Sequence, residues 1–117
     1  MNTRPASVWI IALAACGVPV AGRAQSIDEG ELVFKTRCVV CHGVNADGQS
    51  ALAKIMQPPP ANLRASRLND DARSTIVRKG GAAVGRSPNM PIWELELDER
   101  QIQSVLSYVR SIKGIPP

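Results

Sequence analysis

The stretch Cys38-Val39-Val40-Cys41-His42, followed by Gly43, decides how the rest of this chain is read. It has the form C-x-x-C-H, the attachment pattern of a c-type haem. Two thiols at this spacing can add to the two vinyl groups of one haem and form two thioethers. The imidazole that follows at once is then held against one face of the iron. Serine cannot replace either cysteine in this role, because only a thiol gives the thioether. C-x-x-C is also half of a zinc site and the centre of a redox dithiol. Zinc would need about two more ligands, yet the only other cysteine is Cys16 and the only histidine is His42. A redox dithiol sits in a βαβ setting, and strand signals are nearly absent. Haem attachment is the reading that remains.

Upstream of the motif, Ser26-Ile27-Asp28-Glu29 matches a capping box. Asp28, Glu29 and Glu31 put negative charge in the first turns, and Lys35 and Arg37 put positive charge in the last, as the helix dipole prefers. The pattern predicts a helix from about Ile27 to about Arg37. Gly30 and Phe34 lie four apart on one face of it. A mid-helix glycine costs about 1 kcal/mol relative to alanine, so Gly30 marks a close crossing.

Downstream, Gly43 to Gly48 is turn chemistry, and Asp47-Gly48 lacks the alternating strands a hairpin needs. Ala51 to Met56 suits a short helical turn. Pro58, Pro59 and Pro60 force extended backbone and remove three donors. Asn69-Asp70-Asp71 caps a helix over about 70–79, which Gly80-Gly81 stops. Its apolar residues Ala72, Ile76 and Val77 are expected to face the core. A glycine-rich loop then leads to Ser87-Pro88-Asn89-Met90-Pro91 and Trp93. Pro91 restricts Met90 to extended backbone. Ile102, Val105, Leu106, Val109 and Ile112 recur at helical steps behind Asp98-Glu99 and define a terminal amphipathic helix. With no repeat and no strand pattern, the class is all-α.

Cys38, Cys41 and His42, with the later Met90-Pro91 segment and the terminal helix, resemble the class I cytochromes c. The resemblance runs from about Ile27 to Lys113 and implies the cytochrome c fold: three main helices and loops wrapped around one covalent haem. It implies that a small residue and an aromatic on the first helix pack on an aromatic of the last, here Gly30 and Phe34 on Tyr108. It implies haem bonded to Cys38 and Cys41, with His42 and Met90 as axial ligands of the iron. A thioether ligand raises the potential of such an iron. Met56 is the competing methionine and reads as pocket lining. A carbonyl of Pro58, Pro59 or Pro60 is expected to accept a hydrogen bond from the second nitrogen of His42, which would make it a better ligand. Leu63 is expected to line the pocket. Trp93 is expected beside the haem, its N–H needing a partner when buried; a haem propionate and Arg86 are the two candidates.

The chain has 117 residues, enough for one domain. Met1 to about Ala24 reads as a secretory signal: Arg4 supplies the positive end, and Val8 to Ala15 is an apolar run too short to span a membrane. Two processing readings stay open. Cleavage after Gly22-Arg23-Ala24 leaves residues 25–117 as a periplasmic domain. Leu13-Ala14-Ala15-Cys16-Gly17 instead resembles a lipoprotein signal, with Cys16 lipidated and Gly17 to Ser26 a tether. A membrane partner follows only in that second case. Residues 25–117 are short for a self-sufficient core, and a buried haem supplies the missing apolar bulk. Net charge is +4; less the two leader arginines, Arg4 and Arg23, it is +2. That excludes a nucleic-acid partner.

These readings point to a periplasmic one-electron carrier. The expected donor is a dehydrogenase or cytochrome complex and the expected acceptor an oxidase or reductase. Docking is expected around the haem edge, where Lys35, Arg37, Lys54, Arg78, Lys79 and Arg86 are candidate contacts, although a scattered solvated surface is the simpler reading. The alternatives are a dedicated haem subunit of a dehydrogenase or oxidase complex and, with a labile Met90, a gas sensor or peroxidase-like enzyme. The peroxidase reading lacks a second histidine for acid–base work.

Overall fold

The computed structural model describes Met1 and residues 26–115. Both readings of the leader, with Cys16, fall outside them. Among the described residues there is no strand, and no helix is long and apolar enough to cross a membrane.

The first helix does not stop at Arg37. α1 (Ile27–Val33) runs through a π turn (Phe34–Cys38) into α2 (Val39–His42), so the haem motif is itself helical. Lys35 and Arg37 are not a stop signal here. Lys35 pairs with Glu31 one turn back at 2.7 Å, and the true stop is Gly43 at φ +79°. In the widened turn the Val39 N–H bonds to Phe34 O, five residues back. Such turns are frequent at functional sites, and this one lies directly before the attachment cysteines.

α3 (Asp70–Lys79) keeps its expected bounds, with Asn69 Oδ1 accepting from the Ala72 N–H at 2.8 Å. α4 (Glu99–Ser111) begins at a full capping box between Asp98 and Gln101. At Ser26 only half of the expected box forms. Ser26 Oγ accepts from the Glu29 N–H at 3.4 Å, but the Glu29 carboxylate turns to Ser104 Oγ at 2.9 Å and to Arg100 at 2.9 Å. The tertiary partner on α4 takes the side chain away from its local one.

α1 crosses α4 at Gly30. A Cβ there would lie 2.0 Å from Ser104 O, so no other residue permits this approach. Phe34 packs on Tyr108 with ring centroids 5.4 Å apart. Val33, Ile102, Val105, Leu106 and Val109 complete the buried core, with Trp93 and Leu97 at one end. Val77 of α3 joins this core only at its edge, and Ala72 is half-buried rather than buried.

Candidate haem site

α2, the proline run, α3 and the loop behind α3 enclose a cleft of about 790 Å³, inside the range of roughly 300–1,000 Å³ typical of cofactor sites. Cys38, Cys41, His42, Met90 and Trp93 all line it, as do Pro59, Pro60, Leu63 and Arg86. Ile76 and Val77 of α3 face this cleft too. Met56, the competing methionine, is half-buried on the same wall.

His42 is fixed from several sides. Its carbonyl accepts from the Gly48 N–H at 2.8 Å, and the Cys41 carbonyl accepts from Ser50 Oγ at 3.0 Å. The imidazole Nδ1 donates to Ala61 O at 3.0 Å. The acceptor is therefore not a proline carbonyl. Pro60 O instead faces the turn, 2.7 Å from where a Cβ on Gly48 would stand. The first carbonyl free to meet the ring is the next one along. The Leu63 N–H, bonded to Ala46 O at 2.8 Å, holds that segment in place. Because a carbonyl can meet only an N–H, the proton sits on Nδ1 and the lone pair is left on Nε2. Burial pulls the His42 pKa down, against a smaller opposing effect of Ala61 O. Both features suit a neutral imidazole ligand.

Burial, and secondarily the neighbouring Cys41, push the Cys38 thiol up to about 12. A redox dithiol works through a depressed pKa, and the Cys38 thiol is shifted the opposite way. Among the described residues no group of three or more His, Cys, Asp or Glu is placed to hold a metal ion directly.

Met90 is set by its loop. The Gly81 N–H bonds to Met90 O at 3.1 Å, and the Arg86 N–H to Gly81 O at 2.8 Å. A Cβ on Gly81 would stand 2.2 Å from Ser87 O, so glycine lets the loop fold back on the end of α3. Met90, half-buried, thereby reaches the same cleft as His42.

Trp93 is buried, and its Nε1 has no hydrogen-bond partner among the described residues. Arg86 cannot be that partner, since a guanidinium carries donors only, and its side chain is exposed. An orphaned buried donor costs about 1–3 kcal/mol. A haem brings two carboxylates, which are acceptors, so the cleft fits the cofactor that the motif demands. Two residues of this wall escaped the sequence reading. Ala61 carries no side-chain signal at all. Arg73, on the buried face of α3, was legible only as a break in that face's apolar pattern.

Two thiols and a carbonyl-oriented imidazole on one helix, opening on an apolar cleft with an unmet donor, define a c-type haem protein. The chain belongs to the Cytochrome c family, which it matches over residues 27–113. It carries covalent haem c with its iron and is an electron-transfer protein. It is 31% identical over 91 residues to the cbb3-type cytochrome c oxidase subunit CcoP of Azospirillum brasilense, covering 78% of this chain and 30% of that protein. It is also 31% identical over 85 residues to the subunit FixP of Bradyrhizobium sp. (strain ORS 278), covering 73% and 27%. The fold is similar to a chain of the reducing HAO-like protein complex of Kuenenia stuttgartiensis, with TM-score 0.62, 26% identity, and coverage of 74% and 42%. The chain thus spans less than a third of the curated relatives' length.

Proposed function

We propose that this domain carries single electrons outside the cytoplasm through a haem bonded to Cys38 and Cys41, with His42 and Met90 on the two faces of the iron. Haem supplies the one-electron chemistry. The chain's own residues orient it, exclude water and fill both axial positions. The observation that carries this reading is the Nδ1–H bond of His42 to Ala61 O at 3.0 Å, which leaves Nε2 as the only ring nitrogen with a lone pair to give. Met90, in the same cleft, supplies the soft second ligand. With both positions filled, a substrate has no place at the iron. The ligands also stay the same in both redox states, which keeps reorganisation on transfer small.

Residues 25–117 form the working domain, and export, by cleavage or by lipidation at Cys16, places it in the periplasm. Redox proteins are its partners, a dehydrogenase or cytochrome complex on one side and an oxidase or reductase on the other. The basic candidates for docking are mostly taken: Lys35 pairs with Glu31, Arg37 with Glu96, Arg78 with Glu99 and Lys79 with Glu94. Beside the motif lies instead an apolar groove lined by Val40, Val44, Leu52 and Ile55, of which Val44 and Ile55 are 75% and 77% exposed. This favours the second reading, a haem subunit held in a larger complex, and relatives that are oxidase subunits support it.

The ligand assignment is tested by comparing Met90→Ala with Met56→Ala. Met90→Ala is expected to lower the reduction potential and open the iron to added imidazole. Met56→Ala is expected to leave both as they are. The reverse pattern assigns the sixth position to Met56.

A further inference from the structure

Arg64 ties together three parts of the chain that lie far apart in sequence. Its backbone carbonyl accepts from the Gly114 N–H at 2.9 Å, and its Nη1 donates to Ile115 O at 2.7 Å. Backbone and side chain thus grip the same short segment behind α4. Its Nε donates to Asn45 O, in the turn that follows the haem motif. The next carbonyl of that turn, Ala46 O, accepts from the Leu63 N–H at 2.8 Å. Two consecutive residues, Leu63 and Arg64, therefore hold two consecutive carbonyls of the turn. The turn is closed on the motif by the Gly48 N–H, bonded to His42 O at 2.8 Å. Ala46 is 1% exposed and sits at φ +56°, a conformation that a residue with a Cβ keeps only where its surroundings impose it.

This staple lies next in the chain to the acceptor of the axial ligand. Ala61 O accepts from His42 Nδ1, three residues before Arg64. Ala61 is exposed, so burial of its own side chain does not keep its carbonyl on the ring. Its position is inherited from Leu63, which packs on the core, and from Arg64. Behind α4 the chain turns back at Gly114, whose φ of +73° glycine adopts without a steric penalty. No neighbour crowds that glycine, so its conformation and not its space calls for it. We propose that Arg64, gripped by Gly114 and Ile115, is a positioning residue for His42: the segment behind α4 holds Ala61 O against the ring and thereby sets the donor strength of the axial imidazole. This rests on the haem assignment above. A carbonyl on Nδ1–H orients an imidazole and makes it a stronger ligand. A stronger donor favours the oxidised, electron-poorer iron. Relaxing the grip therefore moves the couple toward the reduced form.

The test uses the haem-loaded protein with Gly114→Pro and Arg64→Lys. Proline removes the Gly114 N–H and forbids its positive φ, with no change of charge. Lysine keeps the charge but lacks the planar fork. Proton NMR of the reduced protein follows exchange of the His42 Nδ1–H with deuterium. In both variants this exchange is expected to be about tenfold faster than in the native protein, one lost hydrogen bond read as local opening. The amides of Ile102 to Val109 are expected to exchange at the native rate. Redox titration is expected to find both variants more reduced at the native midpoint. A ring proton that exchanges at the native rate in either variant overturns the proposal. So does acceleration of the ring proton and the α4 amides by the same factor, which would make Arg64 a tie of the whole domain. A ratio that is native or more oxidised overturns it as well. Should Gly114→Pro fail to mature, Arg64→Lys decides by the same readings. A native protein whose intact mass carries no haem refutes the haem assignment itself, and this proposal falls with it.

Discussion

The α1–α4 crossing and the α3 wall of the cleft belong to one small domain but are held together in different ways. At the crossing the protein is its own partner. Gly30 brings backbone against backbone, Phe34 is 1% exposed and packs tilted on Tyr108, and the fully buried Ser104 hydroxyl accepts from the Ser26 N–H and donates to Glu29. Across the cleft, Ile76, Val77, Leu63 and Met90 are only half-buried, an indole N–H is unmet, and a cation is enclosed. The first region is finished by the sequence alone. The second is half of an interface, and its other half is the cofactor.

Removing the cofactor is expected to separate the behaviour of the two regions most sharply. Cys38→Ala with Cys41→Ala is expected to abolish covalent haem and to leave the two regions unequal. Hydrogen exchange would find α3 and residues 80–91 unprotected, with Ile102 to Val109 the last amides to exchange. Uniform protection in the haem-free chain would mean that the cleft wall needs no haem.

Attacking the crossing comes next. Phe34→Ala is expected to cost about 4 kcal/mol by denaturant unfolding of the haem-loaded protein. Gly30→Ala is expected to cost about 2–3 kcal/mol, because its new Cβ meets a rigid carbonyl instead of a flexible side chain. A neutral Gly30→Ala would mean that α1 and α4 can separate freely.

The smallest effect joins the two regions. Glu99 of α4 pairs with Arg78 of α3 at 2.6 Å. The hydrogen bonds from Arg78, and then from Gln103, hold the Glu99 carboxyl at about 2, below its ordinary 4.5. The carboxyl is depressed in the folded state, so its stabilisation is present above pH 4.5 and fades as pH falls from 4.5 toward 2. Glu99→Gln is expected to flatten the loss of stability across that window. The group is exposed, so added salt is expected to shrink the difference.

Much of the first region was legible in the sequence. Helical periodicity gave α4, and a glycine and a phenylalanine four apart marked the crossing. In the second region only the chemistry-bearing letters were legible: the two cysteines, His42, and the Met90-Pro91 pair behind its glycines. The rest depended on backbone. A π turn carries no residue signature, so the helix through the motif was not foreseen. Ala61 acts through its carbonyl, and the chain's path past Pro60 made the choice. Arg73 was hidden because charge on a helix normally faces water, and only the cleft's chemistry gives a reason for it to face inward. Glu29 matched its local cap pattern but was drawn away by Ser104 and Arg100, a tertiary override that no local pattern announces.

In the proposed site, His42 and Met90 close the iron on both faces. The most direct test is the visible spectrum of the purified protein, oxidised and reduced, with carbon monoxide added to the reduced form. A low-spin c-type spectrum that carbon monoxide leaves unchanged is expected. Ready binding of carbon monoxide would contradict it, since Met90 would then leave the iron open to sensing or catalysis.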